Sequence, residues 1–69
     1  MEIVKTKYLE EADGHIAIVT EDNKFYVGYN LHRCNTIKEV EESEYTIYTF
    51  DTLPEAEDTF NQFFIAKFI

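Results

Sequence analysis

Two short breaks divide the first thirty residues and leave little room for anything but strands. Asp13-Gly14 and Asp22-Asn23 are turn-forming dipeptides, and each stands between runs rich in β-branched and aromatic residues, "YLEEA", "HIAIVTE" and "KFYVGYN". Breaks so closely spaced exclude a helix of ordinary length, and the alternation of side chains between them fits half-buried strands. As two-residue hairpin turns they pair Ala12 with His15, Leu9 with Ile18 and Tyr8 with Val19 across the first, then Thr20 with Phe25 and Ile18 with Val27 across the second. Alternation through both turns collects Leu9, Ile16, Ile18, Phe25, Val27, Tyr29 and Leu31 on one face, the expected core. The other face receives Tyr8, Ala17, Val19, Tyr26, Gly28 and Asn30.

Farther along, "NLHRCNTIKEVEES" has no clean period and reads as a connection, with Thr36-Ile37-Lys38-Glu39-Val40 at most a short irregular strand. "EYTIYTF" is a fourth strand by its β-branched and aromatic content. "DTLPEAED" opens a helix: Thr52 caps it, Glu55 completes a capping box, and Pro54 is tolerated in the first turn. At 100° per residue Leu53, Ala56, Phe60, Phe63, Phe64 and Phe68 share one face, which is expected to pack on the Leu9 to Leu31 face. The prediction is an α+β fold in a single domain over 1–69, a mainly antiparallel sheet of three to four strands in meander order with one C-terminal α-helix on one face. Such an arrangement leaves the second sheet face wet or occupied by a partner. Together with Ile65 and Ile69, which fall outside the helical stripe, Tyr8, Val19 and Tyr26 form a possible homodimer face.

The chain has 69 residues and one cysteine, Cys34, so no internal disulfide can supplement a small core. A reducing compartment is expected, and no basic n-region with an apolar run opens the sequence, so the chain reads as complete and cytoplasmic. Its net charge of −8 is unevenly spread. Residues 1–38 carry six acids against five Lys or Arg, whereas 39–69 carry eight acids against Lys67 alone. Affinity for nucleic acid rests on Lys and Arg neutralising phosphates, so direct binding of DNA, RNA or anionic lipid is not expected.

Side chains that carry chemistry are present without a motif. His15, His32 and Cys34 lack the partners of a structural zinc site, which needs four ligands at characteristic spacings. Gly14 and Gly28 stand alone and open no helix, which excludes a phosphate-binding loop. Carboxylates are plentiful, but acid–base hydrolysis needs two of them held in a cleft. No calcium-loop pattern occurs. The chain is therefore expected to be no enzyme, with no catalytic, cofactor-binding or metal-binding residue.

Residues 50–64, "FDTLPEAEDTFNQFF", resemble the strand-to-helix ending of the WGR-type nucleic-acid-associated modules, which run Phe-Asp-Ser-Leu-Glu-Glu-Ala. That resemblance implies a strand, a tight turn and a capped helix. It stops there, since the chain has no tryptophan, the residue that names the family, and its acidity opposes that family's ligand. In size and charge the chain is similar to the small acidic inhibitors that phages and mobile elements direct against host nucleases, which would place it in a host cytoplasm. The functional expectation is a protein-binding module, an inhibitor that offers Glu39, Glu41, Glu42, Glu44, Tyr45, Tyr48, Asp51, Glu55, Glu57 and Asp58 to a basic surface of a partner protein, in the manner of a nucleic-acid mimic. The alternatives are a self-associating structural domain and an acidic surface that only keeps a small domain soluble.

Overall fold

A computed structural model describes residues 1–10, 13–43 and 47–68, with side chains as far as residue 62. Strands β1 (Glu2–Leu9), β2 (Gly14–Glu21) and β3 (Lys24–Tyr29) are followed by a 3-10 turn (Leu31–Arg33), helix α1 (Ile37–Glu41), strand β4 (Ile47–Phe50) and helix α2 (Leu53–Phe68). The strands form one antiparallel sheet in the order β1-β2-β3-β4, so the expected α+β meander with its C-terminal helix is the architecture observed.

The second hairpin has the register read from sequence, with Thr20 opposite Phe25 and Ile18 opposite Val27. Asp22 (φ 52°) and Asn23 (φ 63°) both adopt the left-handed backbone that a two-residue turn of matching twist demands. The first hairpin differs. β1 ends at Leu9, Gly14 already belongs to β2 opposite Leu9, and Tyr8 faces His15 instead of Val19. Asp13, not the glycine, takes the positive φ (49°), and its N–H is donated to the Glu10 carbonyl at 3.2 Å. Gly14 is required for space: a Cβ there would fall against the Tyr29 hydroxyl, 2.5 Å from Cζ and 3.0 Å from Cε2. The register moves by an even number of residues, so each side chain keeps the face assigned to it. A bulge at Val4, between the pairs Ile3–Val19 and Lys5–Ile18, then reverses the facing of the first residues of β1.

Leu9, Ile16, Ile18 and Val27 pack with Ala56 and Phe60 of α2, and Phe25, Tyr29, Phe50 and Leu53 close the rim. Burial of each large side chain in this cluster stabilises the fold by about 1.5–3 kcal/mol. On α2, Ala56 and Phe60 face the sheet while Glu55, Asp58 and Gln62 face solvent, as the helical stripe requires. Side chains of Phe63, Phe64 and Phe68 lie outside the described residues.

The second face of the sheet is covered by the chain itself. Ala17 and Val19 pack against Leu31 and Val40, with Tyr26, Cys34, Ile37 and Ile47 around them. Leu31 therefore does not extend the Leu9 face, because Asn30 (φ 59°) ends the alternation of β3 in a left-handed turn. Asn30 donates its N–H to the His15 carbonyl at 2.7 Å, and its Oδ1 accepts the His15 N–H at 3.1 Å, which ties the end of β3 to β2. The stretch expected as a loose connection with a short strand is instead a 3-10 turn and a helix. Thr36 caps α1 by accepting the Glu39 N–H at 3.2 Å, and Glu39 reaches back to the Asn35 N–H at 3.1 Å. Replacing Thr36 by alanine is expected to cost about 1 kcal/mol in urea denaturation.

Candidate functional site

The stretch 39–58 is continuous in sequence and divided in space. Glu39 and Glu41 ride on α1, with Glu42 at its C-cap, over the Val19 face. Asp51, Glu55, Glu57 and Asp58 lie at the start of α2, which covers the Ile18 face. The four-stranded sheet separates the two groups, so the described carboxylates form two acidic sides, not one patch. Glu44 and Tyr45 lie outside the described residues.

Local structure engages several of these carboxylates. Glu39 serves the cap of α1, as above. Thr52 donates its hydroxyl to Glu55 Oε1 at 2.7 Å, a contact between the two side chains, whereas the expected capping box runs from each side chain to the other residue's backbone N–H. Gln62 donates to Asp58 Oδ2 at 3.4 Å. Two lysines reach the same region: Lys24 Nζ lies 3.3 Å from Asp51, and Lys5 Nζ lies 3.9 Å from Glu57 and 5.4 Å from the centre of the Phe60 ring. Both pairs are open to water, the Asp51 side chain to 84%, so each contributes between nothing and about 1 kcal/mol and yields readily to a competing cation. On α1, Glu41 and Glu42 are exposed and engage in no ion pair among the described residues. Tyr48, 36% exposed, stands on the α2 side of the edge strand β4.

Part of the possible dimer face is covered by the chain itself. Val19 is fully buried under Leu31 and Val40, and Tyr26 packs against the same cluster. Tyr8 remains half exposed, whereas Ile69 and the side chain of Ile65 lie outside the described residues. The exposed large apolar side chains of β1 are Ile3, Val4 and Tyr8, along an open sheet edge. That edge does not suit a second copy of itself. A twofold antiparallel pairing centred anywhere from Lys5 to Lys7 sets lysine against lysine, and the Val4 bulge breaks its regularity.

One cluster has no signature in the sequence. The rings of His15 and His32 meet edge to face at 4.9 Å between centres, and Tyr8 meets His15 at 5.3 Å. Nδ1 of both histidines is buried without a hydrogen-bond partner among the described residues. Burial, then the neighbouring His15 and Arg33, lower the pKa of His32 below its ordinary value. Tyr8 donates its hydroxyl to Asp13 at 2.9 Å, and that bond raises its pKa. Cys34 is half-buried, and burial followed by the charge of Glu39 pushes its thiol up, away from the thiolate a nucleophile needs. Among the described residues no group of three or more His, Cys, Asp or Glu is placed to hold a metal ion. The left-handed turn at Asn30 brings His32 back onto β2, a meeting that no spacing between the two histidines announces.

Compared with known proteins, the chain matches no family model, no curated protein and no solved structure. Among the described residues no helix is long and apolar enough to cross a membrane.

Proposed function

We propose that this chain is a non-enzymatic protein-binding module of the inhibitor kind, which offers the carboxylates and Tyr48 of its α2 side to a basic surface on a partner protein. The observation that supports this reading is the entrance of α2. There Asp51, Glu55, Glu57 and Asp58 follow directly on an edge strand bearing an exposed tyrosine, and the ion pairs that Lys5 and Lys24 make with them are weak and solvent-exposed. Carboxylates so placed draw a basic partner in and select it, while an aromatic ring at the rim supplies area for anchoring. Spaced negative charge of this kind is also what a nucleic-acid mimic displays to a phosphate-binding groove. Self-association through the second sheet face finds no such support, since Leu31 and Val40 already cover that face.

The test is the affinity of the chain for proteins it captures from lysate, measured at about 0.05 and 0.5 M salt, where the screening length falls severalfold. A charge-led complex weakens about tenfold or more across that range, and a variant combining Asp51→Asn, Glu55→Gln and Asp58→Asn weakens it comparably at low salt. Neutralising Glu41 and Glu42 on the other side leaves the affinity near its starting value. Binding that is indifferent both to salt and to the α2 substitutions would overturn the reading.

A further inference from the structure

We propose that the contact between His15 and His32 is a proton-sensitive latch that holds the layer made by the 3-10 turn and α1 on the second face of the sheet, and that protonation of His32 releases this layer.

The latch joins two elements beside the pair of hydrogen bonds that Asn30 makes with the His15 backbone. His15 belongs to β2, beside Ala17 and Val19 on the covered face; His32 belongs to the turn that also carries Leu31 onto that face. Their rings touch at 4.9 Å, and His32 Nδ1 is sealed from water with nothing to accept or donate a hydrogen bond among the described residues. A neutral imidazole tolerates this position, because its proton can reside on Nε2 and leave Nδ1 bare. The cation cannot. It carries a proton on both nitrogens, so one N–H is buried without an acceptor, the arrangement that costs most among hydrogen-bonding defects.

Among the described residues, the groups around the latch offer the cation no compensation. On the turn itself the neighbour is Arg33, a like charge. From β2 it is the His15 ring, and from β1 the Tyr8 ring, whose hydroxyl is committed to Asp13. Tyr29 of β3 lies within electrostatic reach of Tyr8, and the Asn30 side chain is occupied by the His15 N–H. Glu39 acts on Cys34 and holds the Asn35 N–H. No ion pair engages either histidine among the described residues.

The direction of the effect follows from linkage. With the layer closed, His32 protonates below its ordinary pKa; with the layer open and the ring hydrated, it titrates near 6.5. The open state therefore binds more protons, and closure is favoured fully above pH 6.5, loses ground as pH falls below it, and levels off once the closed state also protonates.

Amide hydrogen exchange of the full ¹⁵N-labelled chain, expressed as protection factors so that the intrinsic pH dependence is removed, tests the proposal. Between pH 7.5 and 5.0 the amides of Cys34, Val40 and Glu42, which bond to carbonyls within the layer, are expected to lose about three- to tenfold of their protection relative to those of β2 and β3. In His32→Phe, which keeps an aromatic ring and cannot titrate, that ratio stays constant with pH. An unchanged ratio in the wild type, an equal loss in the variant, or simultaneous loss in layer and sheet each overturns the latch. If the variant does not fold, the His32 ring signals of the wild type decide: their titration midpoint lies below 6.5, and protection starts to fall near 6.5 and levels off once the ring is protonated, or the proposal fails.

Discussion

Leu31→Ala is expected to destabilise the protein by about 2–5 kcal/mol, as much as Leu9→Ala does on the other side of the sheet. Both leucines are fully buried. The diagnostic quantity is coupling. Leu31 and Val40 share one cluster, so a double-mutant cycle between them in urea denaturation should return an interaction of about 0.5 kcal/mol or more. Leu31 and Leu9 belong to different clusters on opposite faces, and their effects should add within about 0.5 kcal/mol. Strong coupling of Leu31 to Leu9, with none to Val40, would mean that Leu31 extends the Leu9 face after all.

Gly14→Ala is expected to cost about 1–3 kcal/mol, the usual penalty for forcing a methyl group into occupied space. In a domain of this length each kcal/mol lowers the melting temperature by about 4–8 °C. The cause lies in Tyr29, whose ring occupies the place of the missing side chain and also packs on the main core. The backbone gives no reason of its own, since Gly14 has no positive φ. Most of the cost should therefore vanish in a Tyr29→Leu background, where the smaller side chain leaves room for the methyl group. A penalty of the same size in both backgrounds would return the glycine to a conformational role in the turn.

The two hairpins show which parts of this fold are legible in the sequence. Asp22-Asn23 fixed its register because two adjacent residues that tolerate left-handed backbone admit only one tight turn between strands. Asp13-Gly14 misled because the same pair of residue types answers two needs: Asp13 makes the turn and Gly14 makes room for a ring fifteen positions ahead, a demand visible only in three dimensions. The faces of β2 and of β1 beyond its bulge survived because the error was even. Residues 31–41 were illegible for another reason. Leu31, Cys34, Ile37 and Val40 anchor a turn and a helix too short to display a period, and a single left-handed residue, Asn30, sets which side of the sheet they reach. Legibility of the acidic stretch was likewise partial. Its residues and the entrance of α2 were plain, but whether neighbours in sequence remain neighbours in space depended on β4 passing between the two helices. The histidine contact left no trace in the spacing at all.

That passage of β4 bears on how a complex would behave once formed. A rigid partner seated on the α2 side cannot also reach the carboxylates of α1, which lie beyond the thickness of the sheet. Under the proposed reading those groups would stay hydrated on the outer surface of the assembly, where their mutual repulsion would keep neutralised complexes from clumping as the α2 side loses its charge.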